Sequence, residues 1–470
     1  MRSRQACSTV RRFQPSYSII SPPRSPSTGV SRQRHERGRP GRQAALNGPV
    51  APRRADARAD IVLLFGARVL RMFGYGFLSV VLVLYLAELG FTGGQIGVLF
   101  ALTLAGDSAV SLLITSAADR VGRRTMLLLG AALMALAGVA FALTGNFALL
   151  TVAAVVGVIS PGGNEVGPFL AIEQASLSHL VDDARRTSVF AWYNLAGSLA
   201  GAAGALGSGG LVQLMQDAGS SSLASYRVVV VAYAGIGGIL LLVFTGMSRK
   251  VEVISEPGGE ESPKPAAPRR WLGLGASRHV VFKLSGLFAL DAFAGGFVGQ
   301  SLLAYWFHLR YGVEPAVLGS IFFGANVLAG ISALLASRMA ARFGLLNTMV
   351  LTHVPSNVLL ILVPLMPNLP LAIAVLLARF SISQMDVPTR QSYTMAVVAP
   401  DERSAAAGVA NIARTIGVSV SQLLAAPLIA VGGLSFFVVG GLKLVYDFAL
   451  YQRFAALPAA EEQARPRQCR

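Results

Sequence analysis

From Ile61 to about residue 454 the chain is a succession of twelve apolar stretches, each close to the ~20 residues that a helix needs to cross the hydrocarbon core of a bilayer. A water-soluble core cannot absorb that much apolar sequence. With 470 residues, 53% hydrophobic, 13% charged and a mean hydropathy of +0.58, the chain is too apolar and too poor in charge for a soluble protein of its size. The expectation is an all-α membrane protein with 12 transmembrane helices. The segment from Arg249 to His279 is charged and rich in Pro and Gly, and it is the one long interior loop. It divides the spans six and six. The organisation read from this is a disordered basic extension (1–59), a first six-helix bundle (60–248), a central loop (249–279), a second six-helix bundle (280–455) and a tail (456–470).

The two halves repeat one another. A shift of 222 residues lays Ile96-Gly97 on Leu318-Gly319 and Arg120-Val121-Gly122 on Arg342-Phe343-Gly344. Further on the offset is 217, with Arg186 on Arg403 and Asn194 on Asn411, so the loops have absorbed five residues. Pro168 and Pro388 correspond roughly, late in spans 4 and 10. Two pseudo-symmetric bundles are the natural reading of such a repeat.

The net charge of +17 does not indicate nucleic acid, because the arginines gather in the N-terminal segment and in loops on one side of the spans. Arg120, Arg123, Arg124, Arg185, Arg186, the central loop, Arg342, Arg403 and Arg453 share one side, and Arg227 and Arg310 face the other. Lys and Arg accumulate in short cytoplasmic loops, which puts both termini in the cytoplasm. Residues 1–59 hold no apolar run long enough for a signal peptide, and their composition fits either a transit peptide or a start codon read too far upstream. Cys7 and Cys469 lie near the chain ends and the five histidines show no ligand spacing, so neither a metal nor a cofactor is expected.

Asp119-Arg120-Val121-Gly122-Arg123-Arg124 resembles the G-x-x-x-D-R-x-G-R-R/K signature between helices 2 and 3 of major facilitator superfamily (MFS) transporters. Thr115 stands where that signature has its first glycine, and Ala341 replaces the Asp in the second copy. Gly122 allows the tight turn in which one helix leaves the membrane and the next re-enters. The resemblance implies the MFS fold, a solute cavity lined by spans 1, 4, 7 and 10 with parts of 2, 5, 8 and 11, and a role for Asp119, Arg120, Gly122, Arg123 and Arg124 as a conformational latch.

Ionisable groups within spans are costly unless paired or hydrated, which makes each a functional candidate. Arg71, Asp107, Asp291, Arg379, Arg414 and Lys443 fall near mid-span, with Arg68 a turn from Arg71. By the resemblance, Arg71, Glu165, Asp291, Arg379 and Asp386 are cavity candidates. Span 4 (147–176) carries Pro161, Gly162, Gly163, Gly167 and Pro168 around Glu165, which loosens the helix at the depth of a binding site. Glu165 is therefore the leading proton-coupling candidate, with Arg71 or Arg68 as its counter-charge, and Asp386 and Asp291 follow it. Glu173 is expected in a salt bridge with Arg185 or Arg186. Asp386 and Arg390, four apart, are expected to pair on one helix face. Arg414 and Lys443 are read as structural partners of Asp291 or Asp447. Trp192, Tyr193 and Asn194 in span 5 offer stacking surface and an amide, beside a close-packing stripe of Gly197, Gly201 and Gly204.

No nucleophile–base pair and no P-loop is present, so an enzyme and direct ATP drive are not expected. The expected function is secondary active transport of a small organic solute, anionic or zwitterionic, by a monomer in the plasma membrane, coupled to protons and favouring efflux. An uptake symporter for an organic anion and a non-transporting sensor or scaffold are the alternatives.

Overall fold

The computed structural model describes residues 54–163, 168–181, 183–248, 275, 277–399, 402–430 and 433–454. Among them the secondary structure is helical throughout. The first half comprises α1 (Arg54–Glu88), α2 (Gly93–Val121), α3 (Arg123–Leu143), α4 (Phe147–Val156), α5 (Phe169–Leu180), α6 (Asp183–Asp217) and α7 (Ser222–Thr245). The second comprises α8 (Arg278–Gly296), α9 (Gln300–Tyr311), α10 (Pro315–Phe343), α11 (Leu345–Leu362), α12 (Leu369–Ser383), α13 (Asp386–Val397), α14 (Arg403–Ala430) and α15 (Leu434–Phe454). The pairs α4/α5, α8/α9 and α12/α13 are each one span interrupted by a break, which gives twelve spans in two six-helix bundles. Ten are long and apolar enough to cross a membrane on length and composition alone; the other two are the broken α4/α5 span and α14.

Local chemistry sets the helix ends. Thr92 opens α2 with a reciprocal cap: Gln95 donates its backbone N–H to the Thr92 hydroxyl, and its side-chain oxygen accepts the Thr92 N–H at 2.9 Å. The Asn146, Ser221 and Asn368 side chains cap α4, α7 and α12. Gly122 and Gly344, paired by the repeat, both adopt positive φ (110° and 87°) and link α2 to α3 and α10 to α11 in one residue. The two copies of the motif thus make the same turn, as their glycines require.

Three spans read as continuous or nearly so in the sequence are cut. Only the break in span 4 was signalled by its glycines and prolines; spans 7 (expected over 280–306) and 10 (370–397) are broken at Phe297–Gly299 and at Gln384–Met385. Each break is supported by side chains of another helix. Tyr233 of α7 donates to the Val158 carbonyl at 2.5 Å, Gln422 of α14 donates to the Gly296 carbonyl at 2.7 Å, and the Gln384 N–H donates to Ser332 of α10 at 3.3 Å. Backbone freed inside an apolar layer is tolerated only with such partners. Helix α1 begins at Arg54, within the segment read as a disordered extension; residues 1–53, the rest of that segment, lie outside the described residues, as do 249–274 and 455–470.

The bundles meet through α6 on α10, α2 on α14 and α1 on α9. Small residues permit the contacts. A Cβ on Gly97 would stand 2.6 Å from the Gln422 carbonyl oxygen, and one on Gly319 would stand 2.7 Å from that of Ala205. Gly97 and Gly319 are equivalent positions of the repeat, so the same glycine serves each cross-bundle contact once. Within the bundles, the Gly201 and Gly204 stripe packs on α1: Cβ atoms on Gly76 and Gly204 would come within 2.0 and 2.1 Å of the Gly201 and Phe73 carbonyl oxygens.

Gly319→Val is expected to part α6 from α10 and depopulate this arrangement, whereas Gly210→Val, whose Cβ meets nothing within 4 Å, is expected to be silent. Distances between spin labels on α6 and α10 check this; an unchanged distribution in Gly319→Val would show that the contact is not required.

Candidate functional site

In the first bundle α1 and α5 are joined by a fully buried ion pair. Arg71 donates to both carboxylate oxygens of Glu173, at 2.5 and 2.8 Å, with both side chains 0% exposed. Such a fork is the strongest geometry a carboxylate and a guanidinium can adopt. Tyr193 of α6 donates its hydroxyl to the same carboxylate, and the Arg71 guanidinium lies 4.5 Å from the centre of the Phe169 ring. Arg68, one turn earlier on α1, stacks over the Tyr193 ring at 4.8 Å. Three helices are thereby tied at one point.

Glu173, expected to pair with Arg185 or Arg186, is paired among the described side chains with Arg71. Glu173 is the fifth residue of the short helix that restarts after the break, and the restart directs it at α1. The side chains of Arg185 and Arg186 lie outside the described residues, as does Glu165 with its neighbours 164–167. Arg71, expected to answer Glu165, is engaged with Glu173.

The second bundle holds a larger cluster. Asp291 of α8 accepts from Lys443 of α15 at 2.6 Å and from Arg390 of α13 at 2.9 Å, with Arg414 of α14 at 3.9 Å. Asp386 is 3.3 Å from Arg390, the expected pair on one face of α13, but Arg390 also reaches across to α8. Lys443 and Arg414 do contact Asp291. Asp291 therefore has three cations around it and is the hub of this bundle. Beyond it, His353 of α11 stands 2.7 Å from Asp447 and 3.4 Å from Lys443, and Asn357 donates to Asp447 at 3.1 Å. Sequence reading passed over His353 because it looked only for metal spacing; an imidazole at mid-span with an amide four residues on was the available signal.

The two sites are related by the repeat. Helices α5 and α13 are both 12 residues long and begin 217 residues apart (386 − 169), and Glu173 and Arg390 are the fifth residue of each. Glu173 pairs with span 1 through Arg71, and Arg390 pairs with span 7 through Asp291. The charges are exchanged: the cation sits on the first span in one bundle and on the fourth in the other.

Other candidates are scattered. Consecutive helical residues point about 100° apart, so Trp192, Tyr193 and Asn194 do not share a face: Tyr193 is buried at the ion pair, while Trp192 (64%) and Asn194 are exposed. Arg379 on α12 lies over its neighbour Phe380 and makes no ion pair among the described residues. Asp107 is buried on α2. In the α2–α3 turn, Arg123 is buried and Arg124 donates to the carbonyls of Phe244, at 3.1 Å, and Thr245 at the end of α7. A cation on the last carbonyls of a helix completes their hydrogen bonding and opposes the helix dipole. The side chains of Asp119 and Arg120 lie outside the described residues.

Arg71→Gln strands a buried carboxylate and is expected to destabilise the protein by about 3–5 kcal/mol, whereas Arg71→Gln combined with Glu173→Gln recovers most of that loss. Thermal unfolding in detergent measures both. Additive losses would show that the two side chains are not energetically coupled.

Residues 64–422 match the family model described as Major Facilitator Superfamily. The uncharacterized membrane protein YJR124C of Saccharomyces cerevisiae is 31% identical over 390 residues, covering 78% of this chain and 87% of that protein. A shorter likeness, 30% over 120 residues, 26% of this chain and 31% of the relative, is to the quinolone resistance protein NorA of Staphylococcus aureus. Among solved structures, the nucleoside transporter NupG superposes with a TM-score of 0.65 at 14% identity, covering 84% of this chain and 99% of that one. With twelve spans in two repeated bundles, the α2–α3 motif turn and a family match over most of its length, the chain belongs to the major facilitator superfamily.

Proposed function

We propose that the protein moves a small organic anion or zwitterion across its membrane by alternating access, driven outward by a proton gradient. The observation that carries this reading is the polar seal between the bundles. Ser301 of α9 puts its hydroxyl within hydrogen-bonding reach of the Ser79 carbonyl of α1 and the Pro161 carbonyl in the span 4 break. Gln300 donates to the Ser79 hydroxyl at 2.8 Å and accepts from Asn326 of α10 at 3.2 Å. Spans 1, 4, 7 and 8 are thus held together by a few polar contacts that can be exchanged for others. Rigid bundles joined by such contacts suit a rocking motion in which one seal opens as another closes.

The charges support the solute class. Arg68, Arg71, Arg379, Arg390, Arg414 and Lys443 stand beside Asp107, Glu165, Glu173, Asp291, Asp386 and Asp447 along the spans that line the cavity by family resemblance, together with span 12, so both signs are embedded there. That mix of arginines and carboxylates suits an anionic or zwitterionic solute better than a purely hydrophobic cation. The name of NorA, with its quinolone resistance, supports the outward direction. The uneven distribution of Arg supports cytoplasmic termini. The working unit of the proposal is a monomer in the plasma membrane, with residues 60–248 and 280–455 as its two bundles. Arg120, Gly122, Arg123, Arg124 and Asp119 act as its latch; the capping of α7 by Arg124 supports that role.

Glu165 in the broken span 4 is the proposed proton carrier. A proton carrier needs a carboxyl that is protonated in one transport state and ionised in the other. In proteoliposomes screened against classes of organic solute, Glu165→Gln is expected to retain exchange down the solute's own gradient and to lose accumulation driven by an imposed pH gradient. Full pH-driven accumulation in that variant would move the assignment to Asp386 or Asp291.

A further inference from the structure

The second bundle contains a group that the transport reading has not used. His353 lies 5% exposed among α8, α11 and α15. Its Nδ1 is 2.7 Å from Asp447 Oδ1, so the neutral ring donates there, and that bond fixes the tautomer and leaves the lone pair on Nε2. Nε2 faces two groups already bonded to each other: Lys443 Nζ at 3.4 Å and Asp291 Oδ1 at 3.6 Å, the Lys443–Asp291 distance being 2.6 Å. The edge of the ring system is closed by Tyr446 of α15, whose ring is 5.7 Å away and perpendicular. From α13, Arg390 holds the other oxygen of Asp291 and is itself paired with Asp386; from α14, Arg414 stands 3.9 Å from Asp291. On α11 itself, Asn357 holds the second oxygen of Asp447.

The formal charges of this set balance. Asp291, Asp386 and Asp447 are matched by Arg390, Arg414 and Lys443 when the imidazole is neutral. We propose that His353 is a proton-binding site whose occupancy decides whether Lys443 or the imidazolium holds Asp291. A proton taken up at Nε2 turns the lone pair into a donor aimed at Asp291 Oδ1. It also turns the contact with Lys443 from a hydrogen bond into a repulsion between two cations. The proton comes from water and no other bond is made or broken. Lys443 must then leave Asp291, and with it α15 loosens from α8. Because the other oxygen of Asp291 carries Arg390, the change reaches the α8–α13 pair, the counterpart of Arg71–Glu173 in the first bundle. The site is built from spans 7, 9 and 12 and is separate from the proposed carrier in span 4.

This inference rests on the transport reading for its use but not for its test, which needs no solute. In the full-length protein in lipid nanodiscs, with histidine ring nitrogens labelled and the His353 signal assigned by its loss in His353→Gln, that signal is expected to change from the neutral to the imidazolium form across a pH range from neutral to acidic. Amide exchange through α15, corrected for the intrinsic pH dependence, is expected to rise severalfold over the same range. His353→Gln abolishes this rise and His308→Gln, remote on α9, retains it. Lys443→Gln keeps the titrating ring but also loses the exchange response, so a fold lost in His353→Gln does not leave the idea untested. A His353 signal that stays fixed across the range, or an α15 response that survives Lys443→Gln, would overturn the proposal. A protein that titrates as described but moves no solute would refute the transport reading and leave this site standing.

Discussion

An apolar layer offers no water to a backbone group that a helix has released, and this single constraint organises the structure. Three spans are interrupted within it, and described polar groups at all three breaks find partners on another helix: Val158 from Tyr233, Gly296 from Gln422, and Gln384 from Ser332. Leaving such a group unanswered in hydrocarbon costs several kcal/mol. The partners therefore fix the rotation of whole helices about their axes. A break that would loosen an isolated span instead binds it to its neighbours.

Charge is handled in the same way. No ionisable side chain in the two clusters stands alone: Arg71 closes on Glu173, and Asp291 gathers Lys443 and Arg390. Breaking one member of a buried pair costs far more than the pair contributes when whole. Each bundle is thus internally cross-linked at mid-depth, while the contacts between bundles are of a different kind. They consist of glycine approaches at Gly97 and Gly319 and of exchangeable hydroxyl and amide bonds at Ser79, Gln300 and Ser301. Stiff halves joined by a replaceable seam are what the proposed rocking motion requires.

The spans, their number and their division were legible because apolar length and the basic loops are properties of the linear sequence. The turn at Gly122 was legible too, since only a glycine suits its backbone, and so was the Asp386–Arg390 pair, which depends on helical spacing alone. What could not be read were the partners that tertiary packing chooses. Glu173 looks toward the nearby Arg185 in sequence but toward Arg71 in space, because the break before Phe169 resets the direction of the helix. The interruption of span 7 was missed because Gly295, Gly296 and Gly299 carry no proline, and a bundle full of packing glycines hides the few that end a helix. His353 was overlooked because a lone histidine has no spacing to match, and its importance comes only from the two aspartates that other helices bring to it.

The exchanged charges of Arg71–Glu173 and Asp291–Arg390 also bear on descent. If both bundles derive from one duplicated gene segment, at least one of them has reversed the charge at the fifth position of the restarted helix, Glu173 in one and Arg390 in the other, and changed its partner on the first span to match. Reversing either alone would set like charges against each other in a buried site, at a cost of about 3–5 kcal/mol or more, comparable to the whole margin by which many proteins stay folded. The accessible route runs through a neutral stage, in which both members were uncharged and packed by shape before opposite charges were installed the other way round. Each half has since kept its own balance of charge. Neither half depends on the other for the ions at its centre, so an ancestral single segment pairing with a copy of itself would have met the same electrostatic demand.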